Sequence, residues 1–467
     1  MPQNVRVEAV RALMRLHRGG GYSHLVTDAA LSRADLPAAD RALLTRLIYG
    51  VEERRLTLDW FLSQESRLPL KKIHPLVCET LRVGVYQLLF MDRIPASAAV
   101  NEAVKCVRAV GQDRASGYVN GILRTIARKW DSLGGEPGTR LDRVSDVWAA
   151  FPAGDEGLPI RHSCPLPLIE LWKRGYGDEA ARALTEHIND RPPAVLRLNT
   201  LRTSLPEWDA LAQQAGVTYH LHEALPACVV ADGGLTDGET GKRLDFLEEK
   251  CYYQDVASQW CVRALDPKPG DRVADVCAAP GGKTLTAAQY MENRGYILSG
   301  DVHADKADAM EKRATRLGAT IVETVARDAS APCPKPLAGA FDRVLCDVPC
   351  SGLGVIRRKP EIRYKPLPGD DLTALQYRIL EESSKMVRPG GVLQYSTCTL
   401  NPAENEAVVD RFLAAHADFS PRTLPIEAAF AEAGLAPDWR ITLMPPVHGT
   451  DGFFIAGFVR TESGVDA

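Results

Sequence analysis

Two of the eleven cysteines stand where a thiol can do chemistry. Cys350 lies in "DVPCSGLG" and Cys398 in "YSTCTLNP", and each directly follows a short apolar run, "FDRVLCDV" and "GVLQYST", that reads as a buried strand. In an α/β sheet the carboxyl ends of the strands form the rim where ligands bind, so both thiols are expected on that rim. Cys346, inside the apolar run, reads as a core filler. The eleven cysteines as a whole show no paired metal spacing, and their total is odd, which argues against both a metal centre and a disulfide framework.

What a rim thiol attacks depends on the ligand beside it. "DVCAAPGGKT" (Asp275 to Thr284) ends like a phosphate loop, but Cys277 stands where the first glycine belongs and Pro280 lies within the turn. A triphosphate cradle is therefore disfavoured. What remains is a strand, "RVADV", a turn of small residues that permits close backbone approach, and a helix, "KTLTAAQYM". This is the frame of a nucleoside crevice. Asp301 ends the next strand, "YILSGD", at about the spacing at which a carboxylate takes ribose hydroxyls. Asp328 follows the third strand, "TIVETVARD", and Asp347 the fourth. Aspartates after strands also serve as helix N-caps, and that reading stays open for each one taken singly. A nucleoside without phosphates, S-adenosylmethionine, suits the set, whereas a nicotinamide dinucleotide would call for the absent G-x-G-x-x-G.

A thiolate beside a methyl donor suggests one chemistry. Carbon 5 of cytosine is a poor nucleophile, but cysteine attack at carbon 6 makes it enamine-like and able to accept a methyl group. A base must then remove the carbon 5 proton so that the cysteine can leave. Asp347 is placed to hold the edge of the ring and to stabilise charge.

These residues need a scaffold, and the chain has length for several domains. Residues 1–132 read as helical: in "RALLTRLIYGVEERRLTLDWFL", Leu44, Leu47, Ile48 and Val51 recur at helical spacing. A Gly- and Pro-bearing stretch marks a linker at 133–158. Residues 159–250 read as a small α+β domain with strands "AVLRLNT" and "YYQD", and 251–463 as a doubly wound Rossmann-like α/β domain closing on "GFFIAGFVR". The net charge of −4 hides an asymmetry, because Met1 to Lys129 carry 20 basic and 12 acidic residues. A basic module suggests a polyanionic partner, although solvated helix faces would look the same. With no membrane-length apolar run and no signal-peptide core, the expected compartment is the cytoplasm.

Taken in order, "CAAPGGKT", "DVPCSGLGVIRRKPEIRY", "YSTCTLNPAENE" and "DGFFIA" resemble the motifs of RNA cytosine-5 methyltransferases. "RIPASAAVNEAVKCVRAVGQDRASGYVNGILRTIAR" is similar to the NusB RNA-binding domain, and the combination looks like the Sun (Fmu) type of bacterial 16S ribosomal RNA methyltransferases. The resemblance implies an all-α NusB-like domain, a small α+β domain and a Rossmann-like methyltransferase domain. It makes Cys398 the nucleophile and Cys350 the helper in product release, with Asp347 beside them. It also implies that S-adenosylmethionine is contacted by Cys277, Ala278, Ala279, Pro280, Gly281, Gly282 and Lys283, and by Asp301, Asp328 and Asp347. The implied partner is 16S ribosomal RNA; a monomer is the default expectation. Transfer RNA is the alternative substrate, and a non-catalytic ribosome-assembly factor the alternative from another class. Arg357, Arg358, Lys359, Arg363 and Lys365, with Tyr364 among them, read as phosphate contacts around a base-stacking aromatic. A solvated loop is the competing reading of that cluster.

Overall fold

The computed structural model describes residues 4–19, 21–33, 36–91, 93–131, 151–152, 154–231 and 249–462. Most of the linker expected at 133–158 lies outside the described residues. By contacts the chain divides into two compact units: Met1–Asn189 with Arg358–Lys365, and Asp190–Arg357 with Pro366–Ala467.

The first unit is helical, beginning with α1 (Val5–Gly19), α2 (Ser23–Arg33), α3 (Ala38–Glu53), α4 (Arg55–Glu65), α5 (Pro75–Phe90), α6 (Ala96–Ala109) and α7 (Ser116–Asp131). The helical spacing in the sequence is what buries: Leu44, Leu47, Ile48 and Val51 are all inaccessible on α3. Along α5 the apolar residues run round the helix, and a helix apolar on every side belongs in the middle of a bundle. It touches α1, α3, α4, α6 and α7. Pro75 opens it at a position where a missing N–H breaks no helical bond.

Two buried glutamates of this bundle are linked to cations. His17 at the end of α1 lies between two carboxylates, with Nε2 2.7 Å from Glu52 and Nδ1 3.0 Å from Glu79. Arg82 bridges Glu79 at 2.6 Å and grips both oxygens of Asp59 at 2.7 and 2.8 Å. Burial works against a charged His17, but the two glutamates outweigh it and raise its pKa to about 9.

The segment Arg358–Lys365 belongs to the same unit and contains a short 3-10 turn, Pro360–Tyr364. Arg363 is only 3% exposed. Its guanidinium donates to the side chain of Asn189 at 2.9 Å and to the backbone carbonyls of Glu53, Ser163 and Ile188 at 3.2–3.3 Å. A guanidinium tolerates burial when its many donors find acceptors in this way. Tyr364 donates its hydroxyl to the carbonyl of Glu52, and the Arg55 guanidinium stacks 3.6 Å from its ring centroid.

In the second unit, β1 (Ala194–Leu198), β2 (Tyr219–Leu221), β3 (Cys228–Ala231) and β4 (Cys251–Tyr253) form an antiparallel sheet in the order β2-β3-β1-β4. β1 and β4 match the strands read from the sequence; β2 and β3 are short and were not anticipated. The catalytic-type sheet holds β5 (Arg272–Asp275), β6 (Tyr296–Asp301), β7 (Val322–Ala326), β8 (Phe341–Asp347), β9 (Val387–Thr397), β10 (Phe419–Pro421), β11 (Arg440–Leu443) and β12 (Phe453–Arg460). Its order is β10-β12-β9-β8-β5-β6-β7, with β11 on β12. Strands β5 to β9 run parallel, and β12 returns antiparallel beside β9. Chain order reverses at β5, which has β6 on one side and β8 on the other, and a ligand crevice opens at such a reversal. Among the described residues no helix is long and apolar enough to cross a membrane.

The His17 cluster predicts a pH dependence. A folded pKa of about 9 against an ordinary 6.5 means that the cluster's contribution is complete below pH 6.5 and fades as pH rises through 9. Its full size is on the order of 3 kcal/mol. Urea unfolding followed by helical circular dichroism should therefore show wild type losing its advantage over His17→Gln between pH 6.5 and 9.5. A pH-independent gap would contradict the assignment.

Candidate active site

Strands β8 and β9 lie side by side in register, Cys346 opposite Tyr395 and Asp347 opposite Ser396. Both chains then leave the sheet at the same edge, tied by the Val348 N–H donating to the Ser396 carbonyl at 3.1 Å. Cys350 and Cys398 follow within a few residues, and their Sγ atoms are 3.4 Å apart. The two loops touch at backbone level as well. Gly354 donates to the Cys398 carbonyl at 3.0 Å, and Gly452 donates to the Gly354 carbonyl at 2.9 Å. A Cβ on Gly354 would run into the carbonyl oxygens of Gly452 and Cys398, so only glycine fits there.

A buried carboxylate clamps the loops. Glu404, fully inaccessible, accepts from the Ser351 N–H at 2.8 Å, the Ser351 hydroxyl at 2.5 Å, Asn401 Nδ2 at 2.8 Å and Gln376 Nε2 at 2.9 Å. Ser351 adjoins Cys350, and Asn401 is three residues past Cys398. Asn405 holds the second loop from behind: it accepts from the Thr397 hydroxyl at 2.6 Å and donates to the Thr399 carbonyl at 2.9 Å.

Next to the thiols, Asp347 is held at both oxygens. Ser396 donates to Oδ1 at 2.9 Å and the Lys283 ammonium to Oδ2 at 2.6 Å. Burial disfavours charge on Lys283, but Asp347 outweighs that and raises the lysine pKa above its usual value. Cys350 is driven well above the ordinary thiol range, first by its hydrogen bond with Cys398 and then by burial. The arrangement is one protonated thiol touching a second, beside a fixed carboxylate. It can add sulfur to a ring and move a proton at the same place.

The crevice beside β5 is built from the loop Cys277 to Gly282. Gly281, at φ 92°, precedes the helix Gly282–Tyr290 in the left-handed region that glycine favours. Ala278 donates to the Gly300 carbonyl at 2.8 Å, while Cys277 and Ala279 are half-buried and Pro280 is exposed, its carbonyl taken by Arg313 at 2.9 Å. Asp275 receives the Thr284 hydroxyl at 2.8 Å, but its Oδ1 is buried without a partner, and burial raises its pKa to about 7. Asp301 accepts from the His303 N–H at 3.0 Å. Asp328 accepts from the Ser330 N–H and hydroxyl at 2.8 and 2.7 Å, which lowers its pKa. Neither aspartate is a helix N-cap: each closes a short turn by accepting through Oδ1 from the residue two places on, and the helix Ala304–Leu317 has His303 at its N-cap.

The basic cluster is split by the structure. Arg363 is buried and its terminal nitrogens donate inside the first unit, where the Tyr364 hydroxyl and one face of its ring are also engaged. Arg357 lies in the second unit, its side chain 8% exposed, with a hydrogen bond to the Thr450 carbonyl and Asp451 at 3.6 Å. Arg358, Lys359 and Lys365 keep partial exposure.

Sequence reasoning missed Glu404, Asn405 and Ser396, and assigned Lys283 only to the cofactor. A signal existed in "NPAENE", where polar residues crowd a turn directly after the second cysteine. Replacing Glu404 by Gln strands two of its four donors, at a cost of about 2–4 kcal/mol. The expected result is a lower melting temperature together with faster alkylation of Cys350 and Cys398, followed by mass spectrometry. Unchanged alkylation rates would show that Glu404 does not hold the loops.

Comparisons with known proteins bear on this geometry. The family model described as 16S rRNA methyltransferase RsmB/F matches residues 262–459, the NusB family matches 3–128, and the ferredoxin-like domain of RsmF/B-like methyltransferases matches 164–235. The probable ribosomal RNA small subunit methyltransferase B of Synechocystis sp. is 34% identical over 98% of this chain and 99% of its own. The protein of the same description from Bacillus subtilis is 34% identical over 97% and 98%. The crystal structure of PH0851 superposes with a TM-score of 0.76 at 26% identity, covering 98% of both chains. Similar from end to end to two such relatives, this chain belongs to the ribosomal RNA small subunit methyltransferase B family.

Proposed function

We propose that this RNA methyltransferase places a methyl group on carbon 5 of a cytosine in 16S ribosomal RNA through a covalent cysteine adduct, acting as a cytoplasmic monomer. The observation that carries the reading is the 3.4 Å contact between Cys350 and Cys398, beside an Asp347 fixed by Lys283 and Ser396. Family membership supports the ribosomal substrate, since the relatives are described as small-subunit enzymes.

The crevice residues fit S-adenosylmethionine. Asp275 offers a buried oxygen without a partner, Asp301 ends the adjacent strand, and the turn at Gly281 brings backbone close. Cys277 to Lys283, Asp301, Asp328 and Asp347 would hold the group there. Bound in that crevice, it supplies a methyl group to a carbon nucleophile.

The chain's own residues do the rest. The Cys398 thiolate bonds to carbon 6, and the electron pair of the 5,6 double bond moves to carbon 5. Asp347 takes the ring-nitrogen edge and stabilises the charge, while Lys283 keeps that carboxylate in place. Cys350 is held protonated chiefly by its contact with Cys398. Once Cys398 has become a thioether, that hold is released and the Cys350 thiol can ionise, its proton passing to solvent as the one proton the overall reaction releases. It then takes the proton from carbon 5, the pair re-forms the 5,6 double bond, and the bond between carbon 6 and sulfur breaks. Cys398 leaves as the thiolate it began as. Because a stacked base hides both faces of carbons 5 and 6, the target must be unpaired or flipped out. Arg358, Lys359 and Lys365, the half-exposed members of the basic cluster, would take RNA phosphates.

Labelled methyl transfer to unmodified 16S RNA, transfer RNA and duplex DNA tests the reading. Wild type should label only 16S RNA. Cys398→Ala should lose activity by about a thousandfold or more, and Cys350→Ala should trap a protein–RNA adduct visible on a denaturing gel. Label in transfer RNA alone would move the substrate, and retained activity in Cys398→Ala would remove its role. RNA binding without any labelling would return the protein to a role in ribosome assembly.

A further inference from the structure

The Arg55 guanidinium over its ring and the bond of its hydroxyl to the Glu52 carbonyl engage half-buried Tyr364 within the first unit, and the structure supplies another aromatic to the basic segment. Tyr22, between α1 and α2, keeps 40% of its surface exposed. The Lys365 ammonium is 3.9 Å from its ring centroid and the Lys359 ammonium 5.3 Å, with the His24 ring alongside at 5.8 Å. All four residues belong to the first unit. The two lysines form no ion pair among the described residues.

The trio stands on a fixed base. Between the lysines, Glu361 is buried and bonded to the hydroxyl of Ser23, the residue next to Tyr22. Arg363, two residues before Lys365, is locked by its carbonyl acceptors. Little ordering therefore remains to be done on binding, which favours affinity. Two ammoniums converging on one ring repel each other, and an anion between them relieves that repulsion.

Exposed aromatic surface beside unpaired lysines suits one class of partner best. Protein interfaces enrich tyrosine but deplete lysine. Single-stranded nucleic acid uses both: each base stacks on a ring face while cations neutralise the flanking phosphates. The 20 basic against 12 acidic residues of Met1 to Lys129 would draw in the same polyanion. We propose that Tyr22, Lys359 and Lys365 form a stacking platform for an unpaired base of the substrate RNA, with the lysines on its flanking phosphates. The proposal rests on the reading of the protein as an RNA-modifying enzyme. It gives the platform a part in holding RNA, not in the bond-making steps.

The test uses the full chain and an unmodified 16S transcript, with filter binding across a salt series and methyl transfer measured in parallel. Tyr22→Ala should weaken binding roughly tenfold and raise KM for RNA rather than lower kcat. Tyr22→Phe, which keeps the ring, should bind like wild type. The double variant Lys359→Ala, Lys365→Ala should flatten the slope of log affinity against log salt by roughly 1.4. Wild-type affinity in Tyr22→Ala, or a loss in Tyr22→Phe equal to that in Tyr22→Ala, overturns the platform. The two readings fail differently. If wild type labels 16S RNA and Tyr22→Ala binds it equally well, the platform falls and the methyl-transfer reading stands. If binding depends on the Tyr22 ring but no cytosine is labelled, the platform stands and the methyl-transfer reading falls.

Discussion

Four donors converge on the buried carboxylate of Glu404, and that convergence is what keeps two separate loops in one conformation. Parallel neighbours β8 and β9 bring the loops to the same edge, but a sheet edge alone does not hold two sulfur atoms at 3.4 Å. Each loop must be fixed from its own side and also to the other. Ser351 and Asn401 supply the cross-tie through Glu404, and the approach of Gly354 to Cys398 removes the remaining slack. A buried charged acceptor is costly unless its lone pairs are used, so the arrangement favours one closed geometry over loosely related ones.

Electrostatics around the sheet edge follow the same economy of pairing, with one exception. Asp347 shares its charge with Lys283, and Ser396 holds its other oxygen. Asp275, at the end of β5, has one hydroxyl partner, Thr284, and an oxygen without a partner, and burial raises its pKa to about 7. A strand-end carboxylate left partly unsatisfied is stable only because the surrounding sheet over-determines it. Such groups concentrate where a ligand completes the hydrogen bonding.

Local features were legible in the sequence and tertiary ones were not. The parallel strands, the helices between them, Cys346 as filler and the buried stripe of α3 all follow from periodicity over a few residues. Cys350 and Cys398 were legible as rim residues because strand ends can be read from where apolar runs stop. Arg363 and Tyr364 misled, since a run of charges looks solvated unless its acceptors are known. Those acceptors, at Glu53, Ser163, Ile188 and Asn189, lie more than 170 residues away in the chain. Glu404 was hidden for the related reason that one of the loops it ties is 53 residues distant. The short strands β2 and β3 carry too few residues for a period to register.

The course of the chain through its units makes the helical part more than an attachment. After Arg357 the backbone passes into the first unit for Arg358–Lys365 and returns at Pro366. Within those eight residues Glu361, Ile362 and Arg363 are buried, and nearly all of their partners are residues of the helical part. Without that part, Arg363 would lose the acceptors of its terminal nitrogens and Glu361 the hydroxyl of Ser23, and the segment would have no reason to keep its turn. Because the segment begins eight residues after Cys350, the folded state of the helical part is a condition on the conformation of the chain that follows the first thiol. A basic domain of this kind therefore contributes structure as well as charge: it fixes the backbone from which Lys359 and Lys365 extend.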